Sequence, residues 1–158
     1  MKHLLLTTAL VIPSWAFADT SSLQTSSHGL LENQWVKAGI NKDSGTFGSG
    51  GSTSPGLLFD PTGSGTFNPS YDYLTPGSPF DGQALKVDGT NKANNNTGSK
   101  TIIDSDGLTD GTDSVTWSGD VDVDGGTWNV ENKFTLEDDK PYIDVETKIT
   151  AGSDADTV

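Results

Sequence analysis

The 158 residues include no cysteine and no arginine. Without thiols there is no disulfide, no thiol nucleophile and no thiolate metal site. Histidine is almost missing as well: there are two, His3 in the first residues and His28 further on. With His28 the one histidine beyond the first eighteen residues, and that in a loose leading segment, hydrolytic triads and histidine-rich zinc centres are nearly excluded. Positive charge is scarce, with 9 lysines against 22 Asp and Glu and a formal net charge of −13. Phosphate recognition needs clustered cations, so nucleic acid is not a partner of such a chain. An anionic membrane surface is disfavoured on the same ground. Long apolar runs are absent too: the longest, over residues 4–12, is too short to span a bilayer as a helix.

That short run sits in an informative context. Met1-Lys2-His3 gives a basic start, the apolar stretch follows, and Ala16-Phe17-Ala18 supplies an A-x-A end. These are the parts of a cleavable export signal, so residues 1–18 are expected to be a signal peptide and the mature chain to begin at Asp19. The expected location is outside the cell, secreted or at the cell surface. Removing Lys2 leaves 8 lysines against 22 acids, a formal charge of −14. About 140 residues suffice for one domain with a real core.

Residues 19–28 are polar and read as a loose leader, and 29–158 as one β domain. Residues 30–40 suit a strand better than a short helix. Residues 41–82 are rich in Gly, Ser, Thr and Pro and hold an imperfect repeat. Ser44-Gly45-Thr46-Phe47 precedes Pro55-Gly56-Leu57-Leu58-Phe59-Asp60, and Ser64-Gly65-Thr66-Phe67 precedes Pro76-Gly77-Ser78-Pro79-Phe80-Asp81. Pro-Gly suits a type II turn, and each turn is expected to return a Phe to the domain body. Two copies are too few for a solenoid. Residues 83–88 and 100–104 read as short strands and 91–98 as an exposed polar turn.

The last third carries the clearest pattern. Val115, Trp117, Val121 and Val123 share one parity, and Trp128, Val130, Phe134 and Leu136 share another. Period-2 alternation argues strands with one buried face. Gly125-Gly126 suits a two-residue hairpin turn. It would set Val121 against Val130 and Trp117 against Phe134, with Gly119 and Asn132 as the one small or polar pair on that face. Ile143, Val145, Ile149 and Ala151 alternate in a third strand. Pairing Leu136 with Ile143 brings Phe134 to Val145, Val130 to Ile149, Lys133 to Glu146 and Glu131 to Lys148. Two opposite-charge pairs emerge from a register chosen on apolar grounds, each worth a few tenths of a kcal/mol. A meander with one wet face buries the other against a second sheet. The expected fold is an all-β, antiparallel β-sandwich with a C-terminal three-stranded meander. Because 147–151 still reads as strand and 152–158 as a loop leading onward, the domain is expected to be part of a longer chain.

Asp120, Asp122, Asp124 and Glu131 match the D-x-D-x-D-G-x5-E calcium-loop pattern. No amphipathic helix flanks them and the same residues form the hairpin, so the context argues against an EF-hand. Two readings remain: a calcium site on the wet sheet face, with Asp120 opposite Glu131 and Asp122 opposite Asn129, or a solvated acidic stripe that blunts aggregation. The stripe is the simpler reading, because a flat strand spreads its carboxylates too widely for the six to eight oxygens calcium prefers. Residues 104–113 form a second acidic, Gly-containing segment, whose spacing resembles the Asp/Gly-rich calcium loops of secreted repeat proteins without a full match; the plainer reading is a turn cluster. No other cofactor is implied. Paired carboxylates for glycoside hydrolysis are so numerous that no pair stands out, and no catalytic constellation emerges. Tyr71, Tyr73, Phe67 and Phe80 lie among Pro and Gly, where aromatics either stack on sugar rings or, more commonly, anchor a loop to the core.

The leader, the Thr/Ser/Asn/Gly/Asp-rich composition and the stretch 67–82, which opens Phe67-Asn68-Pro69-Ser70-Tyr71-Asp72-Tyr73 and closes Pro79-Phe80-Asp81-Gly82, resemble the N-terminal regions of large exported bacterial surface proteins of adhesin and autotransporter type. The resemblance implies a structural or adhesive module with a glycan or cell-surface partner. The alternative is the accessory domain of a carbohydrate-active enzyme whose catalytic residues lie beyond Val158.

Overall fold

The computed structural model describes residues 21–25, 27–48, 55–74, 81–87, 89–95, 103–123 and 126–152. The expected signal peptide, Asp124, Phe80 and Pro76-Gly77 lie outside them. The fold is all-β and antiparallel. One four-stranded sheet has the order β1 (Ser21–Gln24), β2 (His28–Glu32), β3 (Val36–Asn41), β4 (Leu57–Phe59). The hairpin of β5 (Gly82–Val87) and β6 (Thr90–Asn95) stands apart as a two-stranded sheet. The second four-stranded sheet runs β10 (Asp144–Ala151), β9 (Gly126–Thr135), β8 (Ser114–Val123), β7 (Asp104–Asp110).

Strands β8 and β9 are the spine. At about 3.3 Å per residue, each ten-residue strand is about 33 Å long. Their inner face is therefore longer than the first sheet covers, and it is buried in two portions. Val115, Phe134 and Leu136 pack against Leu31, Val36 and Ile40 of β2 and β3. Farther along, Ile103, Trp117, Val121, Val123 and Val130 form a second cluster, against which Leu85 of β5 packs. Gly29 makes the close approach of the sheets possible, since a Cβ there would lie 2.6 Å from a Val115 methyl.

Several expectations are met and several corrected. The alternating burial of β8 is as read, with Val115, Trp117, Gly119, Val121 and Val123 all inward. The β9–β10 register holds at every pair expected within the strands: Val145 with Phe134, Ile149 with Val130, Glu146 with Lys133 and Lys148 with Glu131. The β8–β9 register differs by two. Val123 lies opposite Gly126, Val121 opposite Trp128 and Trp117 opposite Asn132. Two residues, Asp124 and Gly125, lie between the paired ends, and Asp-Gly is as good a two-residue turn signal as Gly-Gly. A shift of two leaves every side chain on its expected face, so burial is unchanged while partners differ. It also sets the largest side chain, Trp117, against Asn132 rather than Phe134.

Residues 30–40 are a hairpin rather than one strand, turned at 33–35 and paired Leu31 to Ala38. Asn33 makes that turn without Gly or Pro, because its side-chain oxygen accepts from the N–H groups of Trp35 (2.8 Å) and Val36 (2.9 Å). Part of the segment expected to be loose, Ser21–Gln24, pairs with β2 as strand β1. The polar turn expected over 91–98 is largely strand β6, whose Asn94 is buried and both donates to and accepts from the backbone of Ile103. The acidic segment expected as a turn cluster is strand β7, with a bulge between Ser105 and Gly107. Among the described residues no helix is long and apolar enough to cross a membrane.

Candidate functional site

One edge strand of each four-stranded sheet, β4 in the first and β10 in the second, contributes residues to a common cleft of about 470 Å³. Its floor is Val36, Phe47, Leu57 and Ile143, and its rim carries Phe59, Tyr73 and Tyr142. These three residues are 42%, 60% and 51% exposed, while Val36 on the floor is buried. Large aromatics left open around an apolar depression are the usual mark of a binding surface.

Each rim aromatic is held by a buried polar side chain. Asp72 accepts from the backbone N–H groups of Gly56 (2.9 Å), Leu57 (3.0 Å) and Leu74 (2.9 Å), while the Tyr73 N–H donates to the Leu57 carbonyl (2.9 Å). This clamps the short 3-10 turn Pro69–Tyr71 and its sequel onto β4 and sets Tyr73 over the cleft. Phe59 is followed at once by Asp60, a buried carboxylate wrapped by its own loop. The Thr62 and Ser64 hydroxyls donate to it at 2.6 and 2.7 Å, and the N–H groups of Thr62, Ser64 and Thr66 at 2.8, 2.9 and 3.1 Å. Tyr142 follows the 137–141 turn, which the Asn33 amide grips by donating to the carbonyls of Glu137 (2.8 Å) and Lys140 (2.9 Å). Phe47 is fixed from two sides: its N–H donates to Asp81 (2.6 Å), and its ring meets Phe134 edge-on with centroids 5.3 Å apart.

Chiefly the Thr62 hydroxyl, then the Ser64 hydroxyl and the Thr62 N–H, hold the Asp60 carboxyl far below its ordinary value of 3.8. A depressed carboxylate pKa contributes stability that is present above the unfolded value and lost as pH falls through the folded one. Asp60→Asn should therefore melt below wild type at neutral pH. The two melting curves should converge as the solution is acidified below about pH 4, where the unfolded carboxyl takes up its proton. Melting temperatures followed down the pH scale check this. A constant gap between wild type and variant would mean that the loop does not depend on the charge.

A second cavity of about 260 Å³ adjoins the cleft, sharing Phe47 and Val145 with it. It is lined by a linked set of polar side chains. The Asn132 amide donates to Gln83 (2.7 Å) and to the Gly45 carbonyl (2.8 Å), and its oxygen accepts from the Thr147 hydroxyl (2.8 Å).

The acids singled out from the sequence lie elsewhere. Register places Asp120 opposite Asn129 and Asp122 opposite Thr127, where Glu131 and Asn129 were expected. Asp120 accepts from the Asn129 amide (3.0 Å) and Asp122 from the Thr127 hydroxyl (2.8 Å). Glu131 pairs in register with Ser118 and Lys148. Among the described residues, no three His, Asp or Glu side chains come together as metal ligands. His28 contacts the hydroxyls of Thr25 and Ser27 at 3.2 and 3.1 Å, and burial lowers its pKa. Tyr71 and Tyr73, expected to anchor a loop to the core, are instead exposed, and Phe59 sits on the rim rather than in the body. Tyr142 carries no sequence signal at all, since its role depends on a cleft assembled from distant segments.

No family model, curated protein or solved structure matches the chain. Fold and site together define an all-β, sandwich-type protein with an aromatic-rimmed cleft at one edge.

Proposed function

We propose that this chain is a structural or adhesive β-sandwich module of a secreted or cell-surface bacterial protein, and that it faces carbohydrate through the edge cleft. The observation that carries the reading is the trio Phe59, Tyr73 and Tyr142, left open around an apolar depression and held in place by Asp60, Asp72 and Asn33. Sugar rings present apolar C–H faces that stack on aromatics, and tyrosine adds a hydroxyl at the wet end of each ring. Fixing the rim beforehand spares the ordering cost of binding. The formal charge of −13 favours neutral glycans over acidic ones.

Retention of the full chain on insoluble neutral polysaccharides, cellulose, chitin and mannan, tests the proposal. Tyr73→Ala and Tyr142→Ala should each weaken binding about tenfold, equivalent to ~1.4 kcal/mol. Tyr71→Ala should bind as wild type, because Tyr71 is exposed but does not line the cleft. Wild type failing to bind all three polysaccharides, or rim variants binding as well as wild type, would refute the carbohydrate reading.

A further inference from the structure

We propose that β10 is a self-pairing edge, through which two copies of this chain join their second sheets about a two-fold axis at Thr147. The two edges of that sheet differ. On β7 the ladder is broken by the bulge at 105–107, where Gly107 has φ +112, a device that turns an edge away from further pairing. Strand β10 is regular through eight successive pairs with β9. Its apolar side is also uncovered: Val145 and Ile149 are 51% and 49% exposed, although the residues they pair with, Phe134 and Val130, are buried. Of the stripe expected to be closed by the sandwich, Val145, Ile149 and Ala151 thus remain open at this edge.

Backbone polarity restricts how a partner strand can add. The Gly152 N–H donates to the Thr127 carbonyl (2.7 Å) in the β9–β10 register. In an antiparallel ladder, bonded residues alternate, so even-numbered β10 residues bond to β9 and odd-numbered ones turn their N–H and C=O groups outward. The Leu136 N–H donating to the Asp113 carbonyl (2.9 Å) fits the same alternation one strand farther in. Odd residues must therefore pair with odd residues of an antiparallel partner.

Among the two-fold registers that satisfy this rule, one sets opposite charges face to face with no like pair. Centring on Glu146 or on Lys148 sets like charges against each other, and centring on Val145 sets Asp144 against Glu146. Centring on Thr147 pairs Val145 with Ile149 of the second copy and Glu146 with its Lys148, each twice by symmetry. The outer face then reads Lys133, Glu146, Lys148, Glu131 across four strands, continuing the charge alternation already present between β9 and β10. Opposite charges directly across strands favour pairing, and like charges oppose it. The charged face that guards this edge in other registers attracts in this one, which is how specificity against wrong pairings is built. The isologous contact closes on itself and gives a dimer rather than a fibre.

Sedimentation equilibrium of the full chain at tens of micromolar tests this, with circular dichroism to verify folding. Wild type should sediment at twice the protomer mass. Glu146→Lys alone and Lys148→Glu alone should each weaken self-association at least about tenfold, because each sets like charges opposite at two positions. Mixing the two variants in equal amounts should restore the dimer, since Lys at 146 then meets Glu at 148 and Lys at 148 meets Glu at 146. A monomeric wild type would overturn the proposal and leave the edge to another strand. Single variants that dimerise like wild type, or a mixture that stays monomeric, would overturn the register.

Discussion

Trp117→Ala should destabilise the fold by about 3–5 kcal/mol, the range for emptying a large aromatic site in a core that collapses only partly. The indole is fully buried and belongs to the inner cluster with Ile103, Val121, Val123 and Val130. Its N–H donates to the Lys42 carbonyl (3.0 Å) and the Ser105 hydroxyl (2.9 Å), tying β8 at once to the loop after β3 and to β7. The ring lies on two glycines. A Cβ at Gly119 would come within 2.6 Å of it and one at Gly45 within 2.2 Å, and Gly45 has φ +65, so the chain both turns and makes room there. Trp117→Phe should cost less than Ala, because most of the volume stays and the Lys42 carbonyl still accepts from the Ser105 hydroxyl (2.6 Å). Thr116→Ala, one residue along and on the outer face, should cost less than about 1 kcal/mol. Denaturant unfolding of the three variants measures this. Equal losses for Trp117→Ala and Thr116→Ala would contradict the alternation on which the sandwich is built.

Trp117 also shows what the sequence holds and what it withholds. Its burial follows from parity alone, because a strand has two faces and the apolar residues choose one. Its partners do not follow, since a two-residue shift in register preserves parity. The turn offers both Asp124-Gly125 and Gly125-Gly126, and local chemistry does not separate them. The β9–β10 register is legible because two apolar pairs and two charge pairs agree on it. Strands β6 and β7 are illegible for the opposite reason. Thr90–Asn95 and Asp104–Asp110 are polar sequences that extend because a neighbour offers backbone partners, so composition marks them as turns.

The site is less legible than the fold. Its rim is drawn from β4, the 69–74 segment and the turn before β10, and only the tertiary structure brings them together. What local sequence does hold is the set of Asx clamps. Asp60-Pro61-Thr62-Gly63-Ser64 places a carboxylate just ahead of two hydroxyls and a chain of N–H groups, which is the composition of a self-wrapped loop. The wet-face acids, Asp120 and Asp122, attract attention as a motif, yet the structure satisfies them one by one with neighbouring strand side chains.

Asn33 is the clamp whose loss should be felt most widely. Asn33→Ala is expected to cost about 2–4 kcal/mol, since the N–H groups of Trp35 and Val36 lose their acceptor at about 1–3 kcal/mol for each donor kept from water. Val36 is buried and feels the full penalty, whereas Trp35 is half-buried and recovers part of it from solvent. The same substitution releases the carbonyls of Glu137 and Lys140, which lie nearer the surface and can hydrate, so their share of the cost is small. Their release matters for geometry instead. The 137–141 turn belongs to the second sheet and Asn33 to the first, so this one side chain stitches the layers together beside the cleft and fixes the approach to Tyr142. The expected signature is therefore double: a lower unfolding free energy in denaturant, and faster amide exchange at Trp35, Val36 and the 137–141 turn even under native conditions. If the rim must be preorganised to hold a neutral polysaccharide, retention should also fall in Asn33→Ala at temperatures where the variant is still folded. A variant within about 0.5 kcal/mol of wild type, the usual range for unremarkable surface positions, would show that the two layers are held together there by apolar packing alone.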